Sequence, residues 1–302
     1  MRRRQFLESS ALGLGGVMLG HSCASAAKPL STAVTSPLKY KSLKWGMIQE
    51  DLSVMDKFKL VKDLGFHGIE LDWPHELAEK EVLEARDKTG VQLPGTVNSV
   101  HWKQQLSNPD PSVRQSCVDA TKTALVKTEM YGGTTVLLVP GVVNKDVRYD
   151  EAWERSTAEI KKILPTAEKT GVKIAIENVW NNFLISPMEA AQYIDQFDSD
   201  MIGWYFDVGN IVRYGWPDQW IRILGDRIIK VDIKDYSRKK QNDEGIWKGF
   251  KVLIGDGDAD WANVNRALSE IGYSGWGSAE VGGGDRVRLK EISERMDMVY
   301  AL

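Results

Sequence analysis

From about residue 43 onward, two patterns of apolar and polar positions alternate along the chain. Short apolar runs predict buried strands, and longer segments with apolar residues every three or four positions predict amphipathic helices. The predicted strands are separated by one helical segment each. They are Leu43–Gln49, Gly68–Trp73, Gln92–Asn98, Thr135–Pro140, Lys173–Asn178, Ile202–Asp207, Ile228–Lys234 and Gly277–Val281.

Several helical segments end at a glycine that leads directly into the next strand, as at Gly65, Gly90, Gly171 and Gly272. Glycine just past a helix end is typical of a left-handed cap before a turn. Eight such units predict an α/β fold, a single (β/α)₈ TIM barrel over residues 43–302. A doubly wound sheet is the alternative, but no GxGxxG or GxxxxGK[ST] phosphate loop follows an early strand.

The stretch IKVDIKDY, residues 229–236, alternates apolar and charged positions. Such alternation normally indicates a surface strand, but a barrel strand packs helices on one side and fills the barrel on the other. The apolar positions, Ile229, Val231 and Ile233, are therefore predicted to face the helices. The charged positions are predicted to point inward, where a charge needs a partner or a metal. They are Lys230, Asp232 and Lys234.

Four consecutive predicted strands each carry a carboxylate near the C-terminal end, where barrel enzymes have their active sites. These residues are Glu177, Asp207, Asp232 and Glu280. For any one of these carboxylates alone, a salt bridge at the end of a strand is an alternative role. Four converging carboxylates would repel one another without a cation, and an all-oxygen set favours Mn²⁺ or Mg²⁺ over zinc. The sequence therefore predicts one divalent metal ion bound by these four residues.

The motifs IAIEN, FDVGN, VDIKD and GYSGWGSAEV, together with GFHGIEL on the second strand, resemble the sugar isomerase/epimerase family with the xylose isomerase-like TIM barrel. The resemblance covers about residues 43–302. It implies a metal held from strands five to eight, with Glu177 and Glu280 serving also as the acid/base pair. In the family, strand seven typically reads His-x-Lys-Asp, whereas this chain has Asp232 at the histidine position. Asn210 likewise replaces a histidine that is common after strand six.

A fourth carboxylate in place of an imidazole leaves the site negative even with a divalent metal bound. Lys234 and Lys230 share the parity of Asp232 and are candidates to offset that charge. Our hypothesis is that Lys234 neutralises the site and donates a hydrogen bond to a substrate oxygen.

The predicted function is a metal-dependent sugar isomerase or epimerase that abstracts a proton next to the carbonyl of a non-phosphorylated sugar or keto-sugar. A lyase or hydrolase of 3-keto-glycosides would use the same first step, and a non-catalytic sugar-binding barrel is the alternative from another class. Five tryptophans that follow strands are candidates for sugar stacking: Trp73, Trp102, Trp180, Trp216 and Trp247. The candidate substrate contacts are His101, Asn178, Trp180, Asn181, Asn210 and Lys251.

The first residues differ in kind from the rest. A basic start, a short apolar run (Ala11–Leu19) and Ala24-Ser25-Ala26 predict a twin-arginine-like signal peptide over residues 1–26 and a periplasmic or otherwise exported protein. The run is too short to span a bilayer, although a lipid anchor at Cys23 is an alternative. A polar linker is predicted over residues 27–42. The net charge of −3 gives no reason to expect nucleic acid, and the oligomeric state is left open.

Overall fold

The computed structural model describes residues 36–302, so the predicted signal peptide, Cys23 and the first part of the predicted linker lie outside the described residues. Eight parallel strands close into a barrel in chain order, which confirms the predicted TIM barrel. The strands are β1 (Leu38–Lys44), β2 (Gly68–Trp73), β3 (Gly95–Asn98), β4 (Thr135–Leu138), β5 (Lys173–Glu177), β6 (Ile202–Asp207), β7 (Ile228–Ile233) and β8 (Gly275–Ala279).

Helices surround this barrel, and those after the sixth and seventh strands are doubled. They are α1 (Val54–Asp63), α2 (Glu79–Thr89), α3 (Pro111–Tyr131), α4 (Tyr149–Thr170), α5 (Pro187–Asp195), α6 (Val208–Val212), α7 (Pro217–Leu224), α8 (Arg238–Glu244), α9 (Trp261–Glu270) and α10 (Arg286–Tyr300). The glycines predicted to follow helix ends all have a positive φ, between 69° and 80°. Among residues 36–302 no helix is long and apolar enough to cross a membrane.

The first strand was predicted too late in the chain. β1 begins at Leu38, inside the stretch assigned to the linker, and closes the barrel by pairing with β8. Its sequence LKYKSLK contains three lysines, which hid it from a search for apolar runs. The eighth strand likewise begins at Gly275, before the predicted Gly277, because its glycine and serine residues weaken the apolar pattern.

The orientation of β7 follows the prediction with one exception. Val231 and Ile233 belong to the main hydrophobic core, whereas Lys230 and Asp232 are buried away from solvent inside the barrel. Ile229 was predicted to face the helices, but it packs against the small apolar cluster inside the barrel that includes Tyr205. The register between β6 and β7 shifts at this point, and such an irregularity redirects a side chain.

Glu70 on β2 is the centre of a hydrogen-bonded layer that crosses the barrel interior. Its Oε2 accepts hydrogen bonds from Lys44 Nζ at 2.6 Å, Tyr205 Oη at 2.9 Å and Ser278 Oγ at 3.0 Å. Its Oε1 forms an ion pair with Lys230. Burial alone would raise the pKa of Glu70, but the two lysines hold it well below its usual range. Glu70 therefore stays ionised inside the barrel, between two lysines.

Gly95 on β3 makes room for this layer. A Cβ atom at this position would lie 2.5 Å from Thr135 Oγ1 and 2.9 Å from Lys230 Nζ, closer than side-chain atoms normally approach. Lys230 Nζ also lies 3.3 Å from Thr135 Oγ1, so the lysine crosses the barrel at the place where the glycine leaves space.

We expect Glu70→Ala to lower the free energy of unfolding by about 3–5 kcal/mol, because it leaves the buried Lys230 and Lys44 without their shared partner. Urea denaturation followed by far-UV circular dichroism measures this loss. Glu84→Ala is the matched control, since Glu84 forms an exposed ion pair with Lys88 and its removal should barely move the midpoint. Equal shifts for the two variants would contradict a central role for Glu70.

Candidate metal and substrate site

The four predicted carboxylates meet at the C-terminal end of the barrel. Each offers one oxygen, and these oxygens all lie within 4.8 Å of one another. Three of the four side chains are buried, and Glu280 is partly exposed. The strands bring them together because β5 to β8 are hydrogen-bonded neighbours, with Asp207 paired in register with Asp232. The arrangement confirms that the strand ends converge.

Two lysines contact these carboxylates. Lys234 Nζ lies 2.7 Å from Asp207 Oδ2 and also pairs with Glu280. Lys44 Nζ lies 3.0 Å from Asp232 Oδ1. Burial opposes the charged form of Lys234, but the carboxylates of Asp207 and Glu280 raise its pKa well above the usual range. Both lysines are therefore cations beside the carboxylates.

The carboxylates respond differently to their surroundings. Burial, followed by the neighbouring Glu280 and Asp232, raises the pKa of Glu177 well above its usual value. Burial also raises the pKa of Asp232, and it raises that of Asp207 to about 6. Burial acts in the same direction on Glu280, but Lys234 and Lys44 outweigh it and lower its pKa. Without a further cation, the charged forms of Glu177, Asp207 and Asp232 are therefore disfavoured.

The residues present fit a divalent metal ion. Asp232 Oδ2 is buried and has neither a hydrogen bond nor an ion-pair partner, while Asp232 Oδ1 and Asp207 Oδ2 contact only the ammonium groups of Lys44 and Lys234. A buried oxygen without a donor needs another partner, and a hard cation is one. The charge count agrees: with every group ionised, Glu70 and the four carboxylates carry five negative charges and Lys44, Lys230 and Lys234 carry three positive ones, a difference that one divalent ion balances. We call these eight residues the interior charge cluster.

A cavity of about 620 Å³ opens onto this site. Glu177, Glu280 and Lys234 line it, whereas Asp207 and Asp232 lie beneath its surface and do not. The two glutamates and the lysine are therefore the charged groups of the cluster that a substrate can touch. The two aspartates are placed to hold a cation from below.

His101 also lines the cavity. Its Nδ1 accepts a hydrogen bond of 3.3 Å from the Val139 N–H, so the neutral ring carries its proton on Nε2. Burial lowers the pKa of His101 to about 4. The side chain is thus a neutral hydrogen-bond donor at pH 7, which suits a sugar hydroxyl group and not acid/base catalysis.

Three other predicted substrate contacts are placed elsewhere. Asn178 is buried, and both ends of its amide bond the backbone of Asp207, at 2.8 and 3.0 Å. Asn181 is buried as well, and its Nδ2 donates to the Gly141 carbonyl at 2.7 Å. Lys251 is exposed and does not line the cavity. The two asparagines therefore hold backbone groups near the site, and the lysine lies outside the cavity lining.

Asn210 lines the cavity and connects the site to its aromatic wall. Its backbone N–H donates to Asp207 Oδ1 at 2.9 Å, and its carbonyl accepts from Trp180 Nε1 at 2.9 Å. Of the five tryptophans predicted to stack on sugars, three line the cavity, and Trp73 and Trp216 do not. The three are Trp102, Trp180 and Trp247.

Sequence reasoning missed several residues of this site. Lys44 escaped because the first strand was placed too late, which put this lysine at the start of a strand and not at the end that faces the site. Lys230 was a candidate to offset the Asp232 charge, but it pairs with Glu70, and Lys44 takes that place. Phe250 and Arg288, which line the cavity, lie in segments without a chemical motif.

Asp235 organises the long segment that follows β7. Its carboxylate accepts hydrogen bonds from the backbone of Tyr236, Gly255 and Ala259 and from Trp261 Nε1. The segment between these residues carries Trp247 and Phe250 to the cavity wall. The second acid of the VDIKD motif is thus placed to shape the cavity and not to bind the metal.

Comparison with known proteins agrees with this geometry. A family model described as the xylose isomerase-like TIM barrel matches residues 58–301. The chain belongs to this family. The match spans seven of the eight strands and all four carboxylates of the site.

Curated relatives of this xylose isomerase-like chain include a sugar epimerase. L-ribulose-5-phosphate 3-epimerase UlaE of Escherichia coli O1:K1 / APEC is 24% identical over 234 residues, which is 73% of this chain and 79% of the relative. The uncharacterized protein MJ1311 of Methanocaldococcus jannaschii is 27% identical over 237 residues, 72% of this chain and 75% of that one. The epimerase relative supports the prediction of an enzyme.

Solved structures show the same fold. An L-ribulose 3-epimerase has a TM-score of 0.72 at 16% identity, over 87% of this chain and 95% of that one. A D-tagatose 3-epimerase-like protein has a TM-score of 0.71 at 23% identity, over 86% of this chain and 98% of that one. The 3-keto-D-glucoside 4-epimerase YcjR from E. coli has a TM-score of 0.70 at 15% identity, with the same shares covered.

We expect Lys234→Met to bind Mn²⁺ about tenfold more tightly, because the variant loses a cation that contacts Asp207 and Glu280 and repels the metal, and its metal-free cluster is one charge further from balance. Isothermal titration calorimetry of the chelator-treated protein measures the affinity. Lys251→Met is the matched control, since this lysine is exposed and outside the cavity. Unchanged or weaker Mn²⁺ binding in Lys234→Met would show that Lys234 does not offset the charge of these carboxylates.

Proposed function

We propose that this protein is a divalent-metal-dependent sugar isomerase or epimerase that moves a proton next to a carbonyl group. One observation carries the proposal. Of four carboxylates with oxygens within 4.8 Å of one another, the two glutamates line the cavity and the two aspartates lie beneath it. Such an arrangement separates the groups that touch the substrate from those that only bind the metal.

The residues Glu177, Asp207, Asp232 and Glu280 would hold the ion, and Mn²⁺ or Mg²⁺ suits their oxygens. When bound, the ion supplies Lewis-acid stabilisation of the negative charge that develops on the substrate carbonyl as the adjacent proton leaves. Glu177 and Glu280 form the acid/base pair: one takes the proton from carbon and the other returns one. Return to the opposite face gives an epimer, and return to the neighbouring carbon gives an isomer.

Other cavity residues bind and orient the sugar. Lys234 has two of its hydrogens directed at Asp207 and Glu280, and its third is available to a substrate oxygen. His101 offers its Nε2–H as a neutral donor. Asn210 lines the wall next to Trp180, whose ring is only partly exposed, and the lower polarity beside this ring strengthens charge interactions.

A non-phosphorylated substrate is favoured by the charges of the cavity. Among the described residues, one lysine, one arginine and one histidine line the cavity. Lys234 is held by two carboxylates, His101 is neutral, and Arg288 donates to the Gly282 carbonyl and to Glu291. Each cation that lines the cavity is therefore already paired, which disfavours a phosphate group, whereas the UlaE relative is named for a phosphorylated sugar. An exported location, which the N-terminal sequence predicts, would suit free sugars, glycosides and keto-sugars.

Deuterium exchange from D₂O into a panel of ketoses and 3-keto-glycosides, with and without Mn²⁺, tests the function by NMR. We expect Mn²⁺-dependent exchange at the carbon next to the carbonyl. Glu177→Gln and Glu280→Gln should each slow it by about 10²–10⁴-fold, the usual contribution of a positioned acid or base. Glu168→Gln, on the exposed side of α4, is the matched control and should exchange like the unchanged protein.

The same experiment separates the alternatives. Exchange without bond cleavage is the result of an isomerase or epimerase. Exchange accompanied by release of the aglycone would mean a lyase or hydrolase of 3-keto-glycosides. Sugar binding without exchange under any metal would contradict an enzymatic role and leave a sugar-binding barrel.

A further inference from the structure

One wall of the cavity is a row of aromatic rings that starts at the carboxylates and ends in solvent. Lys234 Nζ, which contacts Asp207 and Glu280, lies 5.3 Å from the centre of the Phe250 ring. The Phe250 and Trp180 ring centres are 4.7 Å apart, and those of Trp180 and Trp247 are 5.0 Å apart. All three rings line the cavity. The row thus extends outward from the site of proton transfer, one ring after another.

The inner part of this row is fixed before any ligand arrives. Trp180 donates its Nε1–H to the Asn210 carbonyl at 2.9 Å, and the Arg213 guanidinium lies 4.6 Å from the centre of its ring. Tyr236 packs edge-on against both Trp180 and Phe250. A side chain that is already ordered loses little conformational entropy when a ligand stacks on it.

The outer end of the row is open. Trp247 is 67% exposed, and Trp102, which also lines the cavity, is 48% exposed. Large apolar side chains that rim a concave site commonly mark a place where ligand is bound. The carboxylates, Lys234 and His101 provide the polar contacts of the reacting sugar at the inner end. The outer rings offer apolar faces and no charge, so they suit a second ring attached to that sugar.

We propose that the outer part of the cavity is a second subsite, formed by Trp180, Trp247 and Phe250 with Trp102, which takes the non-reacting ring of a glycoside. The substrate class is then a keto-sugar joined by a glycosidic bond to a second ring with an apolar face, either an aromatic aglycone or another sugar. This proposal rests on the proposed function for the identity of the reacting unit. The stacking itself does not depend on turnover.

Binding without turnover tests the subsite. Phenyl β-D-glucopyranoside, cellobiose and methyl β-D-glucopyranoside share one sugar and differ in the attached group, and none carries the keto group that the reaction needs. We expect calorimetry on the full-length protein with Mn²⁺ to show about five- to tenfold tighter binding of the phenyl glycoside or of cellobiose than of the methyl glycoside, the range for one aromatic stacking contact. Which of the two binds more tightly identifies the aglycone or the second sugar as the natural unit.

Trp247→Ala should bring the phenyl glycoside and cellobiose to within twofold of the methyl glycoside, and it should leave the methyl glycoside itself unchanged. Trp216→Ala is the matched control, because Trp216 is also exposed but lies outside the cavity. This variant should keep the full preference. Since Trp247 is mostly exposed, its removal should not prevent folding, which thermal denaturation verifies.

Equal affinity of the protein for all three glycosides would overturn the second subsite, and so would absence of binding. A Trp247→Ala variant that changes only the oligomeric state, measured by light scattering, would overturn it too and assign the exposed rings to contact with a second copy. Preferential binding combined with no deuterium exchange into any keto-sugar would leave the subsite standing and contradict the proposed function. The two proposals therefore fail separately.

Discussion

Charge balance inside the barrel is the constraint on which the rest of this structure depends. A TIM barrel is normally filled with apolar layers, yet this one contains five carboxylates and three lysines in contact with one another. Burying an ion is favourable only when its partners replace water closely. Glu70 meets that condition through four donors, whereas Asp232 has one buried oxygen, Oδ2, with neither a hydrogen bond nor an ion-pair partner. The layer around Glu70 is thus fully paired, whereas the four carboxylates at the C-terminal end of the barrel outnumber the two lysines that contact them.

The substitution at the strand-seven position is understandable in these terms. An imidazole is a neutral ligand, so an aspartate in its place adds one negative charge to the site. Lys44 from β1 lies 3.0 Å from Asp232 and supplies the matching positive charge. The pair allows a carboxylate to stand among the other three without adding to the net charge of the group. Lys234 then remains available to Asp207, Glu280 and the substrate.

Much of this arrangement could be predicted from the sequence, and the failures have physical causes. The four carboxylates were found because strand periodicity is strict and parallel strands end on one side of a sheet. Lys44 was missed because a strand whose outward positions are also lysines does not look apolar. Asn178 and Asn181 were predicted to contact substrate because the sequence cannot show that their side-chain amides already form hydrogen bonds with the backbone. Contacts such as Lys230 with Glu70 join distant strands, and no local pattern encodes them.

The site and the cavity describe one ligand path. Carboxylates and lysines occupy its inner end, where protons would move, and aromatic rings follow toward solvent. The segment that Asp235 holds together after β7 carries two of those rings, so residues 232–235 contribute one of the four carboxylates, the lysine that contacts Asp207 and Glu280, and the anchor of the cavity wall. Fold and chemistry are joined most closely in IKVDIKDY, the stretch whose alternation first suggested an ordinary surface strand.

The most direct test of this account is the position of a metal ion. Crystals soaked in Mn²⁺ and measured near the manganese absorption edge would locate it by anomalous scattering. The account predicts a single strong peak among the oxygens of Glu177, Asp207, Asp232 and Glu280, with Lys44 still beside Asp232. A site that stays free of manganese, with Lys234 bridging the carboxylates alone, would contradict it.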